Sequence, residues 1–505
     1  VTITDTSHGA TTGDWVVLSG TSATGGIAAD TLNDYYGYQI TVINTNSYSI
    51  VVPSAATSTV SAGGGTVAIK YLIGTDAGLG AQSSVPALGW GVGGWGQSTW
   101  GTARSTSSSD VFLDNSSWNL SLWGEDLIAT VRGGAIYYWD TSVGVTTRAS
   151  LVSSIVGAES VPAVARITTV SFPDRHFIAG GCSAYGGGGN VDNMLVRWSS
   201  QEEFTKFAPT ATNTAGDQRL EVGTKIVAMV AAREETIIST DEAIYGMTFV
   251  GGDFVFSFRL LATDSGAAGM NTMIGIDGDV FWLGKRNFFN YNGVVNELAC
   301  SVQYYVFDRM QTNFIDKTTV GHNKAFKEVT WFYVSNDNPA GAINPEPDSY
   351  VTYNYAEKAW SVGAMDRTVW SDSFGARKVP FAFDPDGVLY EHETGTSANG
   401  AAMNSYIESS PREISESGET LYMVDQVIPD VTMTTSTSLS LYMNTRKFPN
   451  GSETIKGPFV ITSSTEKVST RAKGRQISMK FQSTGLDDEW TLGDFRVNSR
   501  QDGLR

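Results

Sequence analysis

Six times between residues 111 and 400 the sequence returns to one local form: an alternating strand, a tight turn, then a strand with an aromatic-rich edge. The phrases are GGAIYYWDT around Ile136, DNMLVRWSS around Leu195, DEAIYGMTF around Ile244, KRNFFNYNG around Phe288, DSYVTYNY around Val351 and DGVLYEHET around Leu389. Their spacings of 59, 49, 44, 63 and 38 residues are irregular. They nevertheless average about 51, near the roughly 40–50 residues of a four-stranded propeller blade. Gly133-Gly134, Asp241-Glu242 and Asp386-Gly387 precede three of the phrases, as hairpins between adjacent blade strands require. Six phrases predict six blades. A pair of stacked β-sandwiches would supply short strands of the same kind, so the two architectures compete at this point.

The flanking regions are also built from strands. Trp15–Leu18, Gln39–Ile43 and Tyr48–Val52 have β-branched and aromatic content and are separated by Gly and Asn turn signals. Ser438–Met443 and Gln476–Phe481 place apolar residues at every second position, the pattern of half-buried strands. No segment longer than about twelve residues carries a 3.6-residue period. The expected fold is therefore all-β: a small β module over 1–73, a Trp/Gly-rich connection over 74–110, a six-bladed propeller-like domain over 111–400, and a β-sandwich-like domain over 401–505. In the connection, Trp90, Trp95 and Trp100 recur every five residues, each beside glycine. That period fits neither a helix stripe nor a strand face. The three indoles are expected either to pack on their own chain or to form a contact between subunits or with a ligand.

Composition excludes several classes. Glycine is 54 of 505 residues, charged residues only 17% and aromatics 11%, the reverse of what disorder requires. Nothing approaches 18 consecutive apolar residues, so no membrane span is expected, and no leader pattern follows Val1. The net charge of −18 argues against tight wrapping by nucleic acid. Residues 1–110 carry six acids and two bases, and residues 401–505 thirteen and twelve, so the middle of the chain holds most of the charge. Cys182 and Cys300 stand 118 residues apart, far from any zinc spacing, and are expected to be buried free thiols. His8, His176, His322 and His392 are isolated in sequence and give no metal or catalytic motif.

The sequence offers no catalytic or cofactor-binding signature. There is no Walker loop, and GWGVGG lacks the strand-then-helix setting of a dinucleotide fingerprint. GCSAYG at 181–186 is not a nucleophile elbow. Asp277-Gly-Asp279 and Asp384-Pro-Asp-Gly387 lack the closing glutamate of a calcium loop and read as turns. Glu234-Glu235 would point to opposite faces of a strand. Sialidase-type aspartate boxes are absent. A propeller glycosidase would need two carboxylates converging from different blades. The one basic cluster is Lys467, Arg471, Lys473, Arg475 and Lys480, flanked by Arg496, Arg500 and Arg505. Alternation would place Arg471, Lys473 and Arg475 on one strand face. That face is either solvated beside Asp487, Asp488 and Glu489, or a docking or DNA-proximal patch. Without interleaved aromatics a single-strand stacking groove is not expected.

Residues 471–505, with the basic Arg471–Arg475 strand, the Trp490-x-Leu-Gly-Asp-Phe-Arg496 strand and the terminal Asp502-Gly-x-Arg505, resemble the closing segment of tail nozzle proteins of short-tailed bacteriophages. These are also called tail-tube or packaged-DNA stabilisation proteins. Ser239–Tyr245 and Gly284–Phe289 are similar to the propeller of that family. Residues 7–52, with Ser7-His-Gly, Thr12-Gly-Asp and Gly25-Gly-Ile, resemble a small β module of phage tail proteins that is similar to a half-domain of ubiquitin-activating enzymes. It has no cysteine here, so no such activity carries over.

The resemblance implies a homo-hexameric virion protein that continues the DNA channel below the portal and its adaptor. Tail fibre or tail-spike and tip proteins would be its other neighbours. It would retain packaged double-stranded DNA without sequence-specific binding and let it pass into the host, with no catalysis and no cofactor. The charge suits that role, since a lumen of acidic or neutral groups repels phosphate. Six copies would carry −108 in total, so their contacts are expected to be charge-poor and aromatic, with the Trp90–Trp100 segment a candidate. Two readings compete: a propeller that binds or cleaves host-surface glycans, and, less strongly supported, a bacterial surface adhesin.

Overall fold

Each of the six phrases is the third strand of its own antiparallel sheet. A computed structural model describes residues 1–60, 65–72, 85–86, 112–113, 115–145, 147–172, 174–186, 190–252, 254–338, 345–413 and 420–503. Within them, blade 1 spans 118–151, blade 2 165–219, blade 3 226–263, blade 4 273–298, blade 5 319–364 and blade 6 369–391. Blades 1 to 5 have four strands in sequential order and blade 6 has three. The third strands are Ile136–Trp139, Val191–Trp198, Ala243–Phe249, Phe288–Tyr291, Ser349–Asn354 and Leu389–Glu391. The chain is all-β and propeller-like, as the phrases predict.

The turns follow the expected chemistry. Asp277 and Gly278, at φ 52° and 102°, form the two-residue link between Met273–Ile276 and Asp279–Leu283. Both residues need the left-handed region in a hairpin turn of this type. Asp277-Gly-Asp279 is thus a turn, and so is Asp384–Gly387, where Asp384 accepts from the backbone N–H groups of Gly387 and Val388.

The irregular spacing has a local cause. The 63-residue interval before Val351 contains a helix, Gln303–Arg309, and a 3-10 segment, Thr312–Lys317. Val306 and Met310 from this insertion are buried between blades 4 and 5.

The cores lie between blades rather than inside them. Ile128 and Ile136 of blade 1 pack on Phe177, Ala179 and Leu195 of blade 2. Met194, Val196 and Trp198 of blade 2 meet Ile238, Tyr245 and Met247 of blade 3. Ile237 and Ile244 of blade 3 pack on Trp282 and Phe289 of blade 4. Phe281 and Phe288 of blade 4 pack on Trp331 and Tyr353 of blade 5. A blade has two apolar faces, so it is stable only when neighbours cover both. Between blades 5 and 6 the seam is one indole together with Asp372, which accepts from the Lys324 N–H at 3.2 Å and lies 3.3 Å from His322. Trp370 stacks on Phe332 at 5.8 Å and its Nε1–H donates to the His322 carbonyl at 2.9 Å.

Two polar contacts fix the inner end of blade 1. Arg132, in its second turn, donates to Asn115 at 2.6 Å and to Asp316, which leads into blade 5, at 3.3 Å. Asn271, which leads into blade 4, donates to Ser117 at 3.1 Å.

Before the blades, five strands form one sheet in the order Thr2–Thr4, Ser47–Ile50, Tyr38–Asn44, Trp15–Ser19, Ala68–Leu72, over a core of Val16, Tyr38, Ile40 and Tyr48. Arg148 of blade 1 clasps Asp14 of this sheet through both guanidinium nitrogens, at 2.7 and 2.8 Å. Contacts divide the chain into two compact units, Val1–His392 and Glu393–Arg505. In the second unit, a sheet of Ser405–Glu408, Arg412–Glu413, Gln476–Ser483, Leu439–Arg446 and Thr454–Ile461 packs on a three-stranded sheet of Val468–Gly474, Tyr422–Ile428 and Arg496–Gln501. Leu441, Met443 and Phe481 meet Val424, Val427 and Ala472 between them, a sandwich-like core.

Candidate functional site

The three-stranded sheet of the C-terminal unit gathers cations from two distant parts of the sequence. Val468–Gly474 alternates strictly, with Val468, Thr470, Ala472 and Gly474 buried and Ser469, Arg471 and Lys473 exposed. The apolar half enters the sandwich core, so Arg471 and Lys473 must face outward together. In the central strand Met423 pairs with Lys473 on one side and with Arg500 on the other. That register puts Lys473 and Arg500 in one row, two strands or about 10 Å apart. A bulge at Asp425 keeps Val424 and Val427 both in the core. Beyond it, Asn498 pairs with Gln426 and Arg496 with Ile428. Alternation then brings Arg496, Asn498 and Arg500 onto the outward face with Arg471 and Lys473. Every residue of Arg496–Gln501 is exposed.

Within the three strands the acid is Asp425, at the bulge of the central strand, and Asp502 follows the last strand. The Asp502 carboxylate accepts from the Lys473 ammonium at 2.7 Å. Hydrogen bonding to Lys473, its charge and that of Arg500 hold Asp502 below the usual carboxylate range. Four cations against two carboxylates leave this face positive in a chain whose net charge is −18.

The expected basic cluster is therefore rearranged. Arg471 and Lys473 share a face as alternation predicts. Arg475 lies past the strand's end, its guanidinium 5.4 Å from the Phe448 ring centre, because the chain turns there into the partner sheet. Lys467 is exposed in the turn before the strand. Lys480 belongs to the other sheet and sits 4.4 Å over Tyr406. Asp488 is used inside its own turn, accepting from Ser483 and from the Gly485 N–H. Arg496 and Arg500, flanking residues in the sequence, are full members of the face. Their pairing through Tyr422–Ile428 is long-range, and only the six-residue alternation of 496–501 could have signalled it. Trp90, Trp95, Trp100 and Arg505 lie outside the described residues.

Elsewhere, one buried polar network escaped sequence reasoning. His176 Nδ1 lies 2.6 Å from Asp174, Ser171 Oγ donates to the same carboxylate at 2.6 Å, and His176 Nε2 lies 3.0 Å from Thr214 Oγ1. Burial raises the Asp174 pKa, but bonds from His176 and Ser171 outweigh it and hold it below the ordinary value. The imidazole has no exposed surface and packs edge-on against Phe256 at 4.9 Å. Thr214 also accepts the Gln201 N–H at 2.8 Å. A hydroxyl so engaged beside a fully covered ring staples a turn of blade 2. It offers no route for a substrate.

Both cysteines are free, Cys182 buried and Cys300 half-buried. Burial pushes their thiols up to about 12 and about 11, which keeps them protonated and unreactive at neutral pH. No group of three or more His, Cys, Asp or Glu that could hold a metal ion occurs among the described residues. No helix among them is long and apolar enough to cross a membrane. A polar cavity of about 330 Å³ opens between turns of blades 3 and 4, lined by Asp241, Glu242, Asp264, Lys285, Arg286 and Phe289. Asp241 is occupied there, accepting from the Thr224 hydroxyl at 2.5 Å and N–H at 2.7 Å.

No protein-family model matches the chain, and no curated protein does. Among solved structures it is similar to the computationally designed Ika8 protein (12% identity, 56% of this chain and 74% of that one, TM-score 0.32). It is also similar to Sqt1 of Saccharomyces cerevisiae (9% identity, 60% and 91%, TM-score 0.34) and to YCF48 bound to D1 peptide (9% identity, 57% and 80%, TM-score 0.31).

Proposed function

We propose that this chain is a structural, non-enzymatic virion protein of the tail-nozzle kind, assembling as a homo-hexameric ring around the DNA channel of a short-tailed phage. The observation that carries the reading is the outward face of Arg471, Lys473, Arg496 and Arg500 on an otherwise acidic protein. A conduit needs phosphate held off along most of its wall and touched weakly at few points. Four exposed cations diluted by Asp425 and Asp502 suit such a contact, being salt-sensitive and indifferent to base sequence. The resemblance of residues 471–505 to nozzle closing segments supports the same role.

The test is twofold. Light scattering and electron microscopy should show a six-fold ring with a central hole, and a strict monomer at micromolar concentration would refute the assembly. Binding of duplex DNA should be weak and fall steeply with salt. It should be lost in an Arg471→Gln/Lys473→Gln/Arg496→Gln/Arg500→Gln variant. Equal DNA binding by that variant would remove the face from the role.

A second reading, a glycan-binding propeller, is favoured by the mixed carboxylate and cation lining of the cavity between blades 3 and 4. It expects oligosaccharide binding that disappears in Glu242→Gln/Asp264→Asn, and silence across a broad glycan screen would dispose of it.

A further inference from the structure

Among the described residues, blades 1 and 6 each leave a row of apolar side chains exposed on one face. On blade 1, Asn119 and Ser121 bond to Thr168 of blade 2, so Trp118, Leu120 and Leu122 of the same strand point the other way. They are 41, 60 and 67% exposed. The register carries that face onto Ala129, Leu127 and Trp139, which are half-buried, and onto Tyr137, which is buried, so its exposed part is the first strand. On blade 6, Trp370 faces blade 5, so its strand neighbour Val369 faces away, in one row with Phe383 and Leu389. These three are 54, 36 and 41% exposed. The blade 1 strand is apolar along this face, while on blade 6 the apolar row lies next to Ser371, Phe381 and Glu391.

We infer that blade 6 of one copy packs face to face on blade 1 of the next, a head-to-tail contact that rests on the self-assembling reading above. The faces are different surfaces, so the contact is heterologous and closes into a ring or runs on as a filament. Among the described residues, no strand of blade 1 pairs with a strand of blade 6. Arg132 and Ser117 tie blade 1 to the lead-ins of blades 5 and 4, and Trp370 ties blade 6 to blade 5. Charge agrees. The first turn of blade 1 carries Glu125, next to Asp126, which accepts from Tyr138 and Thr141 of its own blade, and the first turn of blade 6 carries Lys378 and Arg377, the latter 4.0 Å from Glu391 of its own blade. A copy seated in the sense of consecutive blades brings the two turns together. The blade 1 face measures roughly 15 by 20 Å and that of blade 6, three strands of three residues, roughly 10 by 15 Å, both less than the roughly 800 Å² per partner of a stable pair. A lone dimer is therefore weak, and assembly depends on each protomer using both faces.

The experiment introduces Leu120→Cys and Phe383→Cys together in a Cys300→Ser background and applies a short bismaleimide to the full chain. The expected product is a ladder of linked dimers and higher species on denaturing gels, absent from either single-cysteine protein. A link confined to monomers would mean that the chain covers its own face, and would overturn the inference. A ring-sized native mass without a ladder would overturn this contact and leave the ring intact, while a monomeric native mass would overturn both. Leu120→Glu should weaken assembly roughly 100-fold with the far-ultraviolet spectrum unchanged. Glu125→Arg paired with Arg377→Glu should restore what Arg377→Glu alone loses, and failure of that rescue would reject the proposed pairing.

Discussion

Replacing Gly321 with alanine would strain the seam that holds blade 6. Gly321 sits in the strand Thr319–Asn323, and a Cβ there would stand 2.4 Å from Trp370 Cγ, 2.5 Å from Cδ1 and 2.8 Å from Cβ. Carbon atoms rest at roughly 3.5–4.0 Å, so the indole must retreat by about 1 Å. These atoms are at the root of the side chain, and rotating the ring cannot clear them. The same position sets the bond from Nε1–H to the His322 carbonyl at 2.9 Å, the stack on Phe332 at 5.8 Å and the His392 ring at 4.6 Å. Overpacking of this kind costs about 1–3 kcal/mol and a lost hydrogen bond about 1 kcal/mol. The sum, roughly 2–4 kcal/mol, falls on blade 6 alone, since proteins open in local units. Hydrogen exchange of peptides from 366–392 should accelerate roughly 30- to 700-fold, with peptides of blades 2 and 3 unchanged. In a Trp370→Gly background the same substitution should cost less than about 0.5 kcal/mol, because all three atoms it meets are gone. Unchanged exchange in blade 6, or an equal effect in both backgrounds, would refute the reasoning.

Arg132→Met should destabilise the first unit by roughly 3 kcal/mol, since it takes the guanidinium from a buried pair with Asp316, whose side chain is 10% exposed, and from Asn115. Adding Asp316→Leu should recover part of the loss in urea titrations followed by tryptophan fluorescence. His176→Ala should cost about 2–4 kcal/mol by removing two bonds from a buried network, with exchange rising first in residues 171–177. Burial and the charge of Arg367 push His392 down to about 4. An unfolded imidazole binds its proton near pH 6.5, so this contribution is complete above pH 6.5 and lost as pH falls from 6.5 towards 4. With a ring only half covered, about 1–2 kcal/mol is at stake. Thermal midpoints of the native chain and of His392→Gln should converge as pH is lowered through that window.

The blades were legible because third strands in the middle of the array are covered on both faces. Met194–Val196 and Ala243–Met247 are short apolar runs within their strands, and turn residues mark the strand ends. The insertion Gln303–Arg309 was not legible, since seven residues are too few to show a helical period against a background of strands. Half of the basic face was readable, because alternation within Val468–Gly474 is local. Adding Arg496 and Arg500 required knowing that both edge strands pair with Tyr422–Ile428, and a bulge at Asp425 shifts that register midway. The Asp174–His176–Thr214 network was hidden for a similar reason: Thr214 is 38 residues from His176 and only the fold brings them together.

The terminal blades show what that periodicity cannot distinguish. Ile136–Trp139 and Leu389–Glu391 belong to the same series of phrases as the buried third strands. Yet Leu389 is exposed where the corresponding Phe288 is fully covered. Sequence pattern reports that a face is apolar, and it is silent on what covers the face. In blades 2 to 4 the cover is the next blade of the same chain, and there the apolar pattern and the burial agree. On the outer faces of blades 1 and 6 they disagree. Apolar rows left in water lose roughly 25 cal/mol for every Å² that could have been buried. A face with Trp118, Leu120 and Leu122 in contiguous register is larger than the scattered exposed side chains that folded proteins tolerate. The contact inferred between these exposed rows of two copies would bury them with residue types that the chain already uses between its own blades.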